Sequence, residues 1–408
     1  MNYAEAVQFL YSLGNEVLTA KLGLERIARL LDALGNPQNA FRSVHVAGTN
    51  GKGSTCAMIE AGLRAAGVRT ALYISPHLVE PTERIQIGGA PVSPERFAEV
   101  FQQVHQTAEQ LLAAGEIDLH PTYFETVTAM AFLAFAEQRV DMAVLEVGLG
   151  GRLDATNVVR PALCVITRID YDHQIFLGDT LTQIAGEKAG ILKPGVPAVF
   201  AEQPPEAEAV LRAHAQGLYI FTRDCPISDL RIDARGSRFR LGGVEISCPL
   251  AGEHQVENAQ TAAVALQQLR VSPAGIASAR WPGRLEHVSE TPEIILDGAH
   301  NPGGISALVH YIRRFYSDHR IWIVYGALRD KAVDKMTALL FPLAHRIILT
   351  ATANARALAP ENILAPGATI THSVAEAVGL LHEARPGDVI FITGSLFVVG
   401  EARSLLVK

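Results

Sequence analysis

The chain is expected to be an α/β protein of two domains, the first built on a central, mostly parallel sheet and the second smaller and doubly wound. Three observations predict this. At 408 residues the chain is longer than one ordinary domain. Short apolar, β-rich runs alternate with helical patterns, as parallel sheets require. The run from Val44 to Thr55 passes from a strand through a Gly-rich loop into a helix, the setting in which backbone N–H groups and a helix N-terminus gather phosphate oxygens. The N-terminal domain is therefore expected to be a P-loop-type mononucleotide-binding ATPase domain, and the C-terminal one Rossmann-like.

Composition narrows the class. Hydrophobic residues make up 49% and charged residues 19%, enough for a sizeable core. A net charge of −7 gives no reason to expect a nucleic-acid partner. No apolar run reaches membrane-spanning length, and the N-terminal residues lack the order of a signal peptide. Cys56, Cys164, Cys225 and Cys248 are scattered, which fits a reduced cytosol and buried thiols. A cytoplasmic location is expected.

Residues 2–34 read as helices, with Ile27, Leu30, Leu31 and Leu34 at helical spacing and a stop at Gly35-Asn36-Pro37. The stretch from Thr19 to Arg26 is a helix connection or a substrate-contacting loop. Strand 44–47 leads into the loop at Gly48, Gly51 and Gly53, whose glycines let the backbone approach a ligand. Lys52 offers charge to the β/γ-phosphates, and Ser54 or Thr55 a hydroxyl to Mg²⁺. The match to the ordinary phosphate loop is imperfect, because Val46 and Gly53 replace a Gly and a Ser/Thr.

Strand 69–74 ends at Ser75 and His77, in the crevice position where such sheets bind ligands; a capped turn is the plainer alternative. Residues 82–87 read as an edge strand, and Ser93-Pro94 opens a helix. Thr122, Tyr123, Phe124 and Glu125 introduce a long apolar helix, for which Glu125 suits the N-terminal dipole.

Strand 142–146 is apolar until Glu146, which a Gly-rich loop follows. A carboxylate there fits a hard-cation ligand or a general base. Asp154 and Asn157 are equally well turn residues. Strand 162–167 precedes Asp172-His173, and Thr180 opens the helix bearing Lys188. Among Ala185, Gly186, Ala189 and Gly190, Lys188 reads from local composition as a surface lysine; partly buried, it would have a lowered pKa and could take up CO₂ as a carbamate. Residues 204–250 carry short β-like runs, and a helix from Gly252 to about Leu269 presents Asn258 as a face residue.

The stretch 271–284 reads as the interdomain connection, with 275–284 as linker between domains at 1–274 and 285–408. Strands at 294–297, 321–325, 346–350 and 388–393 then alternate with helices. Asp297, His300 and Asn301 follow the first of these strands, and Gly394-Ser395 the last.

The blocks Gly48–Ser54, Ser75–Leu78, Glu146–Asp154, Asp172–His173, Glu187–Gly190, Gly283–Glu286 and Asp297–Pro302, in this order, resemble the dihydrofolate synthase/folylpolyglutamate synthase family of Mur-type ATP-dependent ligases across nearly the whole chain. The departures from the ordinary phosphate loop are those this family shows. The resemblance implies that ATP phosphorylates a pteroate or folate carboxylate and that the amine of L-glutamate attacks the acyl phosphate. It implies ATP contacts from Thr49, Asn50, Gly51, Lys52, Gly53, Ser54 and Thr55, and from Asn258, Arg284 and Asp297. One Mg²⁺ would sit on Ser54 and Glu146, a second on Ser75, His173 and carbamylated Lys188. The catalytic set would be Lys188, His173, Glu146, Asp297 and His300. Pterin would meet Lys21, Leu22, Gly23, Leu24, Thr122, Tyr123, Phe124, Glu125, Leu153, Asp154 and Ala155, and glutamate would meet His300 and Ser395. The partners would be small molecules only, with no nucleic acid or membrane, and the protein a monomer. Two rivals are another Mur-type ligase acting on a cell-wall precursor and a non-catalytic nucleotide-regulated binding protein. The helical N-terminal segment disfavours the first, and Asp297, His300 and Asn301 would be superfluous in the second.

Overall fold

The computed structural model describes residues 1–14 and 23–407; Lys21 and Leu22, within 15–22, lie outside the described residues. Contacts divide the chain into two units, one of residues 1–227, 241–246 and 257–279, the other of 228–240, 247–256 and 280–408.

In the first unit, α1 (Tyr3–Ser12) starts from a capping box of Asn2 and Glu5, and α2 (Glu25–Ala33) buries Ile27, Leu30 and Leu31. The strands are β1 (Arg42–Ala47), β2 (Thr70–Tyr73), β3 (Ile85–Ile87), β4 (Ala90–Pro91), β5 (Met142–Glu146), β6 (Leu163–Ile166), β7 (Ala198–Phe200) and β8 (Tyr219–Phe221). They form one sheet in the order β4-β3-β2-β5-β1-β6-β7-β8. From β2 to β8 every pairing is parallel; β3 and β4 add an antiparallel edge. The helices are α3 (Lys52–Ala65), α4 (Pro94–Ala113), α5 (Tyr123–Glu137), α6 (Gln174–Leu177), α7 (Leu181–Ala189) and α8 (Pro205–Ala215). Helix α5 is buried from Thr126 through Phe135, so it is apolar all round instead of amphipathic. It lies in a core with Leu10, Leu30, Phe97, Phe101 and Leu145.

The strands β9 (Ile227–Asp233), β10 (Gly236–Leu241) and β11 (Val244–Cys248) make a separate sheet, followed by α9 (Glu253–Gln268). In the second unit, β12 (Glu286–Glu290), β13 (Glu293–Asp297), α10 (Pro302–Phe315), β14 (Arg320–Tyr325), α11 (Val333–Leu340), β15 (Arg346–Leu349), β16 (Thr369–Ile370), α12 (Val374–Gly379), β17 (Asp388–Thr393) and α13 (Leu396–Leu406) follow in turn. The sheet order is β12-β13-β17-β14-β15-β16, antiparallel only at β12. Among the described residues no helix is long and apolar enough to cross a membrane.

Three local readings need correction. The edge strand expected over 82–87 begins at Ile85, because Pro81–Arg84 forms a turn of 3₁₀ helix. The Glu83 carboxylate accepts the N–H groups of Leu78, Val79 and Glu80 and holds that turn. Helix α8 was hidden in a stretch read as β-like, since it buries only Ala207 and Leu211. Strand β12 has no apolar run to signal it, because none of its residues is fully buried.

Phe132 is fully buried, with its ring centroid 5.9 Å from that of Phe41. Phe132→Ala is expected to cost about 3–5 kcal/mol, read as a lowered urea midpoint of the N-terminal unit.

Candidate active site

The parallel register carries the polar residues of the first unit to one edge of its sheet. Val46 on β1 pairs with Glu146 on β5 and with Val165 on β6. Just beyond the C-terminal ends of these strands come Gly48, Val147 and Thr167, in the crevice where open α/β sheets bind ligands.

The loop after β1 is fixed by backbone bonds to the segment after β6. Thr49 N and Asn50 N donate to Arg168 O at 2.9 and 3.3 Å. Thr49 Oγ1 donates to Asp170 O at 2.9 Å and accepts from Asp170 N at 3.0 Å. Gly48 (φ +150°) lies so close to Thr167 that a Cβ would run into the threonine Oγ1. Gly51 (φ +84°) is the N-cap of α3, and a Cβ there would run into Asn258 Oδ1. Helix α3 starts without a side-chain cap, which leaves its N-terminal dipole for an anion. Lys52 Nζ bonds to Thr49 O at 3.2 Å, across the loop it belongs to. Ser54 and Thr55 are buried in the first turn, and Thr55 Oγ1 has no hydrogen-bond partner among the described residues.

Glu146 is 5% exposed, and Ser75 N donates to its Oε2 at 3.2 Å. Ser75 Oγ is buried without a hydrogen-bond partner among the described residues. A buried carboxylate beside an unsatisfied hydroxyl is the oxygen-rich environment a hard cation prefers. His77 is otherwise engaged: its Nδ1 accepts from Arg84 Nε at 2.8 Å, and burial holds it neutral, near 3.

Lys188 is not the surface lysine its neighbours suggest. It is 4% exposed and donates from Nζ to Gly48 O at 2.9 Å. Burial, then the charge of Lys52, lower its pKa to about 7, against the pull of Asp172 and Asp154. His173 adopts a left-handed backbone (φ +51°), donates from N to Asp172 Oδ1 at 2.9 Å, and has Nε2 3.9 Å from that oxygen. The first unit thus brings the loop 48–54, Glu146, Ser75, Lys188 and the Asp172-His173 pair to the same sheet edge. Thr167 and Asp172 were not singled out as site residues; an acid directly before His173 was the available signal.

Asp154 organises the Gly-rich loop after β5. Its Oδ2 accepts from Gly148 N and Leu149 N at 3.0 and 2.9 Å, and its Oδ1 from Thr156 N at 3.0 Å. Burial pushes its pKa up while these bonds hold it down. Gly148 faces Phe124, whose ring carbon lies 2.6 Å from where a Cβ would stand. Next to Phe124, Tyr123 stacks on Tyr11 at 5.9 Å. Glu125 caps α5 together with Thr122 and pairs with Arg26 at 2.9 Å, so one of its oxygens is committed to structure. Leu24, beside Gly23, precedes α2 and packs on the core. Leu153 is half-buried and Ala155 buried.

In the second unit, Asp297 ends β13 and accepts from Leu285 N at 3.0 Å and Ala299 N at 3.1 Å. Burial raises its pKa and Arg284 opposes the rise. A Cβ at Gly298 would run into Arg284 Nη1. His300 Nδ1 donates to Gly298 O at 2.8 Å, while Asn301 and Ser395 cap α10 and α13. Tyr325 OH and Thr393 Oγ1, on paired residues, are buried without a hydrogen-bond partner among the described residues.

Residues 46–266 match the Mur ligase middle domain, and residues 283–396 the Mur ligase glutamate ligase domain. The dihydrofolate synthase/folylpolyglutamate synthase of Bacillus subtilis (strain 168) is 37% identical over 413 residues, covering 95% of each chain. The folylpolyglutamate synthase of Lacticaseibacillus casei is 36% identical over 433 residues, covering 100% of this chain and 99% of its own. A folylpolyglutamate synthase of Mycobacterium tuberculosis complexed with ADP and AMPPCP is similar with TM-score 0.90 and 33% identity, over 100% of this chain and 99% of that one. An E. coli FolC structure with DHPP and ADP gives TM-score 0.87 and 31% identity, over 99% and 97% of the two chains.

In CO₂-free buffer, Lys188 yields a pH signature. Its folded pKa of about 7 lies below its ordinary 10.5, so between these values the unfolded chain binds more protons and stability rises with pH. Relative to Lys188→Met, the wild type is expected to gain on the order of 1–2 kcal/mol between about pH 7 and 8.5, measured by urea unfolding.

Proposed function

Since this chain belongs to the dihydrofolate synthase/folylpolyglutamate synthase family of Mur ligases, we propose that it joins L-glutamate to the carboxylate of dihydropteroate, of reduced folates, or of both, through an acyl phosphate, with release of ADP and phosphate. It is an ATP-dependent ligase. The observation that carries the mechanism is the α3 N-terminus without a side-chain cap, with Lys52, set at the same sheet edge as buried Glu146 and Lys188. Relatives carrying the synthase names along their whole length support this reading over a ligase of cell-wall precursors.

The residues work by gathering opposite charges. The N–H groups of Gly51, Lys52, Gly53 and Ser54 hold the triphosphate, with Thr49, Asn50 and Thr55 shaping the loop. Lys52 offsets the negative oxygens, and Asn258 meets the nucleotide beside Gly51. The orphaned hydroxyls of Ser75 and Thr55 and the buried Glu146 carboxylate fit Mg²⁺. Ser54 and Glu146 would hold one ion; Ser75, His173 and Lys188 as its carbamate would hold a second. Bound Mg²⁺ supplies positive charge to the transferring phosphoryl group. Lys188 suits carbamate formation because its amine is buried and, with a pKa of about 7, is about half neutral near pH 7. Gly23, Leu24, Thr122, Tyr123, Phe124, Glu125, Leu153, Asp154 and Ala155 would line the pterin site. In the C-terminal unit, Arg284 and Asp297 would contact ATP, and His300 and Ser395 glutamate.

A phosphate-release assay with dihydropteroate and tetrahydrofolate tested separately checks the acceptor. Turnover is expected to need ATP, Mg²⁺ and L-glutamate together; product formed without glutamate would remove the ligase reading. Lys52→Ala is expected to lower kcat/KM by roughly a thousandfold, as the loss of a phosphate-stabilising cation does. Lys188→Ala is expected to lose most activity.

A further inference from the structure

Away from the phosphate-binding loop, three side chains with metal-binding chemistry converge in the N-terminal unit. His105 and Glu109 stand one turn apart on α4, and His120 lies in the segment that leads into α5. Their ligand atoms are within 4.8 Å of one another. His105 Nδ1 lies 3.9 Å, and His120 Nε2 3.7 Å, from Glu109 Oε1. Both ring nitrogens are shut off from solvent, and neither has a hydrogen-bond partner among the described residues.

The other nitrogen of His120 settles its tautomer. His120 Nδ1 is 2.8 Å from Pro121 O. A carbonyl only accepts, so Nδ1 carries a proton, and in the neutral ring Nε2 turns its lone pair towards the Glu109 carboxylate. A backbone carbonyl fixing the far nitrogen in this way is the usual support of a metal-bound histidine. Aromatic rings wall the cluster. Phe9 lies 4.5 Å from the His105 ring and 5.4 Å from that of His120, and Phe101 stacks on His105 at 5.5 Å. These rings restrict the imidazole rotamers and lower the local dielectric. Two buried ring nitrogens without hydrogen-bond partners among the described residues, beside the Glu109 carboxylate, are satisfied when a cation joins all three.

We infer that His105, Glu109 and His120 form a binding site for a transition-metal cation of the Zn²⁺ class. Two imidazoles and one carboxylate suit Zn²⁺ and disfavour Mg²⁺, which prefers oxygen ligands and its own waters. Bonds of about 2.0–2.1 Å in a tetrahedron put ligand atoms roughly 3.3 Å apart, so the two histidine–glutamate pairs need to close by about half an ångström and the histidine pair by no more than about 1.5 Å. Water completes the fourth position. The ion ties α4 to the segment that ends two residues later at Thr122, the N-cap of α5, and so braces the entry to the buried helix.

The test uses the full chain, stripped by chelator and titrated with Zn²⁺ alone by calorimetry, and with Co²⁺ as a spectroscopic substitute. The wild type is expected to bind one more Zn²⁺ equivalent than His105→Gln or His120→Gln, or to bind it at least about tenfold more tightly. The visible absorption of low-coordinate Co²⁺ is expected in the wild type and lost in both variants. Excess Mg²⁺ is expected not to compete. Glu109→Gln, at a more exposed position, provides a variant whose folding is not in question, and the Zn²⁺-dependent rise in Tm of the wild type is expected to be smaller in it. Equal Zn²⁺ equivalents, affinities and Co²⁺ spectra in the wild type and all three variants would overturn the proposal.

Discussion

The contact on which the N-terminal arrangement depends is the one at Gly48. Its Cα leaves no room for a side chain against Thr167, and its carbonyl accepts the buried Lys188 amine. One residue therefore joins the end of β1, the end of β6 and the helix α7. Because Thr49 and Asn50 then bond to Arg168, the next turns of chain have little freedom. Lys52 and the start of α3 follow directly on this anchored loop, with Ser54 and Thr55 buried in the first turn. Pre-set N–H groups cost no reorganisation when an anion arrives, which is why such a loop binds phosphate well.

The same economy appears in three other turns. Asp154 gathers Gly148, Leu149 and Thr156; Asp297 gathers Leu285 and Ala299; Glu83 gathers Leu78, Val79 and Glu80. In each case a carboxylate accepts the backbone donors that a sharp turn exposes. Desolvation would push a buried acid towards neutrality, and these bonds oppose it. An acid near a strand end can thus serve as a loop builder, as a ligand, or as both. Asp154 and Asp297 have their loop-building work on view, while Glu146, at the end of β5, accepts from Ser75 N.

Much of the fold was legible because its strands are buried on both faces and its helices carry clear stop signals. The strand at 142–146, the Ser93-Pro94 start of α4 and the Thr180 start of α7 follow from local chemistry. Helix α8 and strand β12 were not legible, since both rely on tertiary context instead of an apolar pattern. The site divides in the same way. Gly51, Lys52 and Glu146 announce themselves by type and position. Lys188 does not: small neighbours tell of close approach by another segment but not which face is covered, and only the Gly48 carbonyl explains its burial. His105, Glu109 and His120 were also invisible as a group, because the helix turn that sets the first two together says nothing of a residue eleven positions further on.

Lys188 also has an energetic consequence. An amine held at 4% exposure beside Lys52 forfeits most of its hydration, and a single carbonyl bond returns only part of that cost. An apolar side chain of similar length would pack there with less loss. What the position provides instead is an amine that is about half neutral near pH 7, close to the residues proposed to hold phosphate and cation. A neutral amine can take up CO₂, and the carbamate so formed reverses the local charge from positive to negative. With Lys52 and the proposed divalent ion as neighbours, that reversal would turn two repulsions into two attractions. The electrostatic cost of burying Lys188 and the proposed affinity for a cation would thus have a common source.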